Sequence, residues 1–195
     1  IAALGYNECV SYSFIDVQSD RLFGGGTEAT QLQNPISNDM RHMRPDLLPC
    51  LLKAASRNQA RGFSDIAFFE AGPVFGGGEP SDQDFQISGL LVGQTTKKNV
   101  HSKTRNIDIF DVKADVEATL AALGAPKKVQ VTRAGNSWWH PGRHGCIGLG
   151  PKTVLAVFGE IHPKILKAMD VKGPAVAFTI WPNSIPTPRN KKSTR

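Results

Sequence analysis

Hydrophobic and polar positions alternate along several segments with the period of two that is typical of half-buried β-strands. These segments contain aromatic and β-branched residues and are bounded by glycine or proline. They predict strands over residues 9–15, 66–75, 85–93, 129–132 and 175–181. Two further apolar runs within residues 146–161 flank Pro151 and Lys152, which predicts a β-hairpin.

Three segments have the apolar spacing of helices instead. Leu48, Leu51, Leu52 and Ala55 lie at i, i+3, i+4 and i+7, so residues 46–62 are predicted to be helical, with Asp46 as the N-cap. The same reasoning predicts helices over 106–124 and 162–171.

The order of these elements predicts an α+β fold with a mostly antiparallel sheet flanked by helices. No regular β-α-β alternation occurs, which disfavours a parallel nucleotide-binding sheet. Neither glycine run, FGGGT (23–27) nor FGGGE (75–79), has the spacing of a phosphate-binding loop. One domain over residues 1–181 is predicted, followed by a Pro-rich basic linker over 182–195 toward a further domain. The chain opens in mid-pattern without Met, which predicts a piece of a longer protein.

The formal net charge of +6 comes from two short segments, because residues 97–105 and 189–195 carry four positive charges each and no acid. The rest of the chain is therefore slightly acidic and does not have the composition of a nucleic-acid platform. Two interpretations of the basic segments remain open. They are either solvated loop and linker or contacts to a phosphate backbone.

The three cysteines, Cys9, Cys50 and Cys146, lie far apart and form no CxxC pair. This spacing predicts free thiols in a reducing compartment and disfavours a structural zinc site. No apolar run approaches the roughly 18 residues that a membrane span needs, so no membrane association is predicted.

The stretch HPGRHG (140–145) has the residue types of an active site. His140 and His144 are four apart, but Pro141 and Gly142 prevent the helix that would make them joint metal ligands. No nucleophile elbow accompanies them. The stretch is therefore predicted to form a sharp structural turn. Trp138 and Trp139 before it could stack bases or anchor the core, and the core is favoured.

Glu70 lies inside a predicted strand beside two phenylalanines. A carboxylate in such a position needs an arginine or several hydrogen-bond donors. The sequence indicates a structural ion pair, and Arg143 is the candidate partner.

Five stretches in this order resemble the family of β subunits of bacterial phenylalanine–tRNA ligase. They are GYNECVSYSF, NPISNDMRHMRPDLLPCLL, RNQARGFSDIAFFEAGPVF, FDVKADVEATLAALG and HPGRHGCIGLGPKTVLAVFGEIHP. The resemblance covers essentially the whole chain, but only the catalytic-like module of that long subunit. It implies the fold of a class II aminoacyl-tRNA synthetase.

The resemblance also implies an oligomeric state, cofactors and partners. The family enzyme is a cytoplasmic (αβ)₂ heterotetramer whose α subunit uses ATP and Mg²⁺ to load phenylalanine onto tRNA. The β module shares the fold, has lost the catalytic residues and packs against α. No catalytic, cofactor-binding or metal-binding residue is therefore expected in this chain, and tRNA is expected as a partner only through the holoenzyme.

Class II chemistry requires an arginine on a strand–loop–strand element and another near a late strand that leads into a helix. Residues 68–75 resemble the second strand of the first element, and the late element should lie near residues 175–184. The sequence has no arginine there, so nothing would hold a triphosphate.

Nine positions are predicted to have structural or interface roles. They are Asn34, Pro35, Arg44, Glu70, Gly72, His140, Pro141, Gly142 and Arg143. Four basic positions are candidates for RNA contact: Lys97, Lys98, Lys103 and Arg105. Many relatives have a small residue where His144 stands, which leaves the role of His144 open.

Overall fold

A computed structural model of the chain describes residues 1–95, 104–150 and 152–187. Its centre is a seven-stranded sheet. In chain order its strands are β1 (Asn7–Glu8), β4 (Ile66–Phe75), β5 (Gln83–Val92), β6 (Gln130–Thr132), β7 (Trp139–Gly148), β8 (Val154–Ile161) and β9 (Ala175–Ile180). The short strands β2 (Phe14–Ile15) and β3 (His42–Met43) form a separate antiparallel pair.

The spatial order of the main sheet is β1-β4-β5-β9-β8-β7-β6. Every neighbouring pair is antiparallel except β1 and β4, which run parallel. Within the described ranges, four α-helices complete the fold: α1 (Val17–Leu22), α2 (Leu48–Gln59), α3 (Ile109–Ala122) and α4 (Pro163–Ala168). The α+β architecture predicted from the sequence is confirmed.

Helices α2 and α3 pack on opposite faces of the sheet. Along β9, Ala175 and Ala177 belong to the core cluster that contains the leucines of α2, whereas Val176 and Phe178 belong to the cluster that contains the valines of α3. Successive side chains of a strand point to opposite faces, so this alternation assigns one helix to each face. We call the two sides the α2 face and the α3 face.

The helix boundaries follow from capping. Asp108 accepts hydrogen bonds from the backbone N–H groups of Phe110 and Asp111, so α3 begins at Ile109. The N-cap of α2 is Leu47 rather than the predicted Asp46, which lies one residue earlier and accepts a bond of 2.8 Å from the N–H of Leu48. Pro163 stands at the first position of α4.

Two local predictions are wrong. Residues 9–13 do not form a strand, because Ser11, a polar member of the alternation, turns inward to hydrogen-bond Glu70, while Val10 and Tyr12 lie exposed. HPGRHG is not a sharp turn either. It lies inside β7, where the pairing with β8 shifts register between Trp139 and His144, so the extra residues form a bulge.

Candidate functional site

A row of polar side chains crosses the α2 face of the sheet. Glu70 of β4 lies opposite Ser88 of β5, and Ser88 lies opposite Thr179 of β9. All three are buried, and the Ser88 and Thr179 hydroxyl oxygens are 3.0 Å apart, within hydrogen-bond distance. The row ends in a carboxylate under α2, so its charge has to be balanced within the core.

Arg44 balances that charge. Its Nη1 lies 2.6 Å from Oε1 of Glu70, and both side chains are almost completely buried, at 2% and 4% exposure. The Nε of Arg44 donates to the carbonyl oxygen of Pro73 at 3.0 Å. The Ser11 hydroxyl lies 2.6 Å from Oε2 of Glu70 and also accepts from Nη1 of Arg44 at 2.9 Å.

We call Ser11, Arg44, Glu70 and Gly72 the buried-arginine cluster. A Cβ atom added at Gly72 would lie 2.8 Å from Nη2 of Arg44, so any other residue there would require the guanidinium to shift. The cluster joins the N-terminal segment, the segment before α2 and strand β4. Because Nε and Nη1 of Arg44 pair with Pro73, Ser11 and Glu70, the cluster acts as a cross-link under α2.

The sequence predicted an arginine partner for Glu70 but named the wrong arginine. Arg143 instead pairs with Glu160 across β7 and β8, with Nε 2.5 Å from Oε2 and Nη2 2.9 Å from Oε1. The Arg143 side chain is 53% exposed. Register is the physical reason, because Glu160 lies beside Arg143 on the neighbouring strand while Glu70 lies across the sheet. No sequence signal singled out Ser11 as the third member.

The histidines near HPGRHG make local backbone contacts. The N–H of Gly142 donates to Nδ1 of His140 at 3.1 Å, and Nδ1 of His144 lies 2.8 Å from the carbonyl oxygen of His140. His140 also stacks on His162 with ring centroids 6.4 Å apart. These contacts stabilise the bulge of β7, in which Pro141 is exposed. Within the described ranges, no three His, Cys, Asp or Glu side chains are grouped to hold a metal ion.

Asn34 and Pro35 lie in a bend of the loop before β3, on the side where Ile36 is 92% exposed. Neither residue contacts the buried-arginine cluster through a hydrogen bond among the described residues. An interface role for this bend stays a prediction.

Of the basic positions predicted to contact RNA, Lys97, Lys98 and Lys103 lie outside the described residues. Arg105 is described, and its guanidinium donates to both carboxylate oxygens of Asp111, at 2.8 and 2.5 Å. That contact lowers the pKa of Asp111 and ties Arg105 to the first turn of α3. Its charge is therefore partly committed to an intramolecular pair.

Two segments of the main sheet, the connection between β4 and β5 and the end of β9, contain no basic residue. The connection between β4 and β5, GGGEPSD (76–82), contains two acids, Glu79 and Asp82, and no base. Strand β9 leads into the short 3₁₀ turn Pro182–Ser184 rather than a helix, and residues 175–187 contain neither arginine nor lysine. Carboxylates in the connection between β4 and β5 would repel a phosphate group placed there.

Solved structures identify the class to which this fold belongs. Two structures of pyrrolysyl-tRNA synthetase from Desulfitobacterium hafniense match 94% and 93% of the chain, with TM-scores of 0.65 and 0.64. The matches cover 60% and 62% of the two synthetase chains, at 15% and 14% sequence identity. The chain thus has the fold of a class II aminoacyl-tRNA synthetase.

The family follows from sequence. The family model described as phenylalanyl tRNA synthetase beta chain CLM domain matches residues 1–181, and the chain belongs to that family. It is 68% identical over 194 residues to the phenylalanine–tRNA ligase β subunit of Ruegeria pomeroyi and 60% identical over 195 residues to that of Cereibacter sphaeroides. In both comparisons the chain is covered completely and spans 24% of the relative. Of the helices that the structure describes, none has the length and hydropathy for crossing a membrane.

Proposed function

We propose that this chain is a non-catalytic structural module of a phenylalanine–tRNA ligase β subunit. In this proposal it packs against the α subunit of an (αβ)₂ enzyme in the cytoplasm, and α alone uses ATP and Mg²⁺ to attach phenylalanine to tRNA. The buried-arginine cluster is the observation that carries the proposal. On the face of the sheet under α2, the arginine serves Glu70, Ser11 and a backbone carbonyl rather than a substrate.

The acidic connection between β4 and β5 supports the same proposal. Glu79 and Asp82 form a capping box around the 3₁₀ turn Pro80–Asp82, so their carboxylates have a structural role and would repel a phosphate group. We therefore assign no step of amino-acid activation to this chain.

A matched pair of variants tests the proposal in the α/β enzyme. Arg44→Met removes the buried cross-link, and Arg143→Met removes an exposed arginine of the same size. We expect Arg44→Met to lower the yield of co-purified α/β enzyme, whereas Arg143→Met leaves it unchanged. The Arg44→Met enzyme that does assemble should keep the KM for ATP of the unmodified enzyme.

Two outcomes would contradict this assignment. One is a normal yield of the Arg44→Met enzyme with a KM for ATP raised tenfold or more, because that split indicates a substrate contact. The other is phenylalanine-dependent exchange of pyrophosphate into ATP by the 195-residue chain without α.

A tRNA-contacting role of the basic segment 97–105 stays the alternative prediction. Changing Lys97, Lys98 and Lys103 to Ala should then weaken tRNA binding by the α/β enzyme and lower the salt dependence of that binding. Unchanged affinity and an unchanged salt slope would reject it. Arg105 is left intact in this variant because it pairs with Asp111 in the first turn of α3.

A further inference from the structure

A groove of about 420 Å³ lies between the first turns of α3 and the strands β6 and β7. This volume is within the range of small-molecule sites. Strand β6 is the last strand at this end of the main sheet, so we call the depression the edge groove. Its walls differ from the buried-arginine cluster, because they combine exposed apolar side chains with arginine and lysine.

Strand register places the groove on the α3 face. Val131 of β6 lies opposite Ile147 of β7, and Ile147 belongs to the core cluster that contains the valines of α3. Arg143 pairs with Glu160, and Glu160 lies opposite Val176, which belongs to the same cluster. Side chains that lie opposite each other in an antiparallel pair share a face. Val131 and Arg143, both in the lining, therefore point to the face that α3 covers.

The groove presents an exposed aromatic ring. Phe110 is 72% exposed, although it lies in the first turn of a helix whose buried side chains pack on the sheet. Val131, in the strand wall, is 54% exposed. Phe110 and Lys113 are three residues apart, so they share one flank of α3, and both line the groove. A ring in this position can stack on a flat aromatic group.

Arg133 brings a positive charge to the strand side of the groove. It lies two residues after Val131, just past the end of β6, and is exposed in the lining. Alternation along the chain puts it on the same side as Val131. Within the described ranges, its guanidinium forms no ion pair with an acid. A guanidinium carries five donors in a geometry that matches a phosphate group.

Two further cations line the groove and keep donors to spare. Glu160 contacts Nε and Nη2 of Arg143, which leaves Nη1 out of that pair. Lys113 lies 3.4 Å from Glu117, and its ammonium group carries three donors. Within the described part of the chain, the lining contains no aspartate or glutamate. The cations of the lining outnumber the two glutamates that contact them, so the groove attracts anions.

These groups match a nucleotide better than a peptide. A single strand of nucleic acid is bound by a positively charged groove in which bases stack on aromatic side chains. An extended acidic peptide would instead depend on backbone hydrogen bonds to the open edge of β6, and that strand has only 3 residues. A peptide carboxylate also offers no flat ring to Phe110.

We propose that the edge groove binds single-stranded RNA, with a base stacked on Phe110 and phosphate groups paired with Arg133 and Lys113. The proposal goes beyond the structural role of the chain, and it rests on different residues from the basic segment 97–105. The buried-arginine cluster lies on the other face of the sheet, so the site does not depend on whether the chain is catalytic.

Fluorescence anisotropy with fluorescein-labelled hexaadenylate RNA tests the proposal on the α/β enzyme. Phe110→Ala removes the stacking ring and should weaken binding about tenfold. Arg133→Met removes one phosphate contact, so it should weaken binding and lower the slope of log affinity against log salt by about 0.7. Phe63→Ala and Arg61→Met are the matched controls, because both side chains are exposed and lie outside the groove. They should leave affinity and slope unchanged.

A competition experiment distinguishes RNA from an acidic peptide. Unlabelled hexaadenylate should displace the probe at a concentration at least tenfold lower than hexaglutamate does, since the peptide cannot stack on Phe110. Equal displacement by the two competitors would overturn the proposal, because charge alone would then account for binding.

Two other results would overturn it as well. They are equal affinity of the unmodified and Phe110→Ala enzymes, and equal losses in the Phe110→Ala and Phe63→Ala enzymes. Both groove variants change exposed side chains, so their melting temperatures without RNA should match those of the controls. The yield comparison of Arg44→Met with Arg143→Met measures assembly and does not involve Phe110 or Arg133, so the two proposals can fail independently.

Discussion

The described part of the chain contains two arginine–glutamate pairs with almost the same contact distance and very different surroundings. Arg44 and Glu70 meet at 2.6 Å under α2 with at most 4% exposure, whereas Arg143 and Glu160 meet at 2.5 Å with exposures of 53% and 23%. Distance alone would rank them equal. The difference is solvation. When an exposed pair is broken, water solvates the remaining charge, whereas a buried charge is stabilised only by its protein partners.

The largest effect should come from breaking the buried pair. Arg44→Met leaves the Glu70 carboxylate inside the core with only Ser11 as a donor. We expect the free energy of unfolding to fall by about 3 to 5 kcal/mol, measured by urea denaturation. A loss below 1 kcal/mol would mean that water reaches Glu70.

The double variant Arg44→Met with Glu70→Leu distinguishes loss of the pair from loss of packing. Replacing both charges by apolar groups removes the unpaired carboxylate, so the double variant should be more stable than Arg44→Met alone. If the two variants were equally unstable, packing of the arginine side chain would account for the effect.

Asp46 is a third buried or paired group to compare: it is a buried acid that forms no ion pair with an arginine, so its effect on stability depends on pH. Burial raises its pKa from 3.8 to about 7, although the N–H of Leu48 and the charge of Arg44 oppose the shift. The folded state therefore holds a proton that the unfolded chain releases, and the free energy of unfolding falls as pH rises from 4 to 7.

Asp46→Asn removes this titration and keeps an oxygen that accepts from the N–H of Leu48. The difference in unfolding free energy between Asp46→Asn and the unmodified chain should change in favour of the variant by roughly 2 to 4 kcal/mol between pH 4 and pH 8. Urea denaturation at several pH values measures it. Parallel stability curves for the two proteins would show that Asp46 stays ionised in the fold.

Two glycines beside the two arginines give the next comparison. A Cβ at Gly72 would lie 2.8 Å from Nη2 of Arg44, whereas a Cβ at Gly142 would meet only the ring of His140, at 3.9 Å. Gly72→Ala should cost about 1 to 3 kcal/mol and Gly142→Ala less than about 0.5 kcal/mol, measured as changes in unfolding free energy. Equal costs would mean that Arg44 can move away without losing Glu70.

The sequence predicts the elements better than the partners. Strand β4 and helices α2 and α3 have local signals, namely apolar periodicity, acids before the helices and glycine stops. Strand β4 has the predicted bounds, and the helices lie within their predicted ranges but are two or three residues shorter at each end. The partner of Glu70 depends instead on how the segment before α2 folds back over the sheet. That is long-range information that no local pattern contains, so the need for a cation was predictable and the choice of Arg44 was not.

The errors at residues 9–13 and 140–145 have a related cause. A period-two alternation shows that the two sides of a segment differ in polarity, but it does not show which side faces the core. At Ser11 the polar side faces the core, because the Ser11 hydroxyl donates to the buried Glu70 carboxylate. In HPGRHG, proline and glycine indicate a break in regular pairing. A bulge inside a strand and a turn between strands both satisfy that signal.

The smallest effect should come from the exposed pair. In Arg143→Met, Glu160 remains partly in contact with water, so its carboxylate is solvated when the arginine is removed. We expect a loss of less than about 1 kcal/mol in urea denaturation, and a still smaller one at 1 M NaCl because salt screens exposed charges. Arg44→Met and Arg143→Met remove the same atoms from two ion pairs whose N–O distances differ by only 0.1 Å. A loss above 2 kcal/mol would therefore show that Arg143 supports the bulge of β7 through more than its charge.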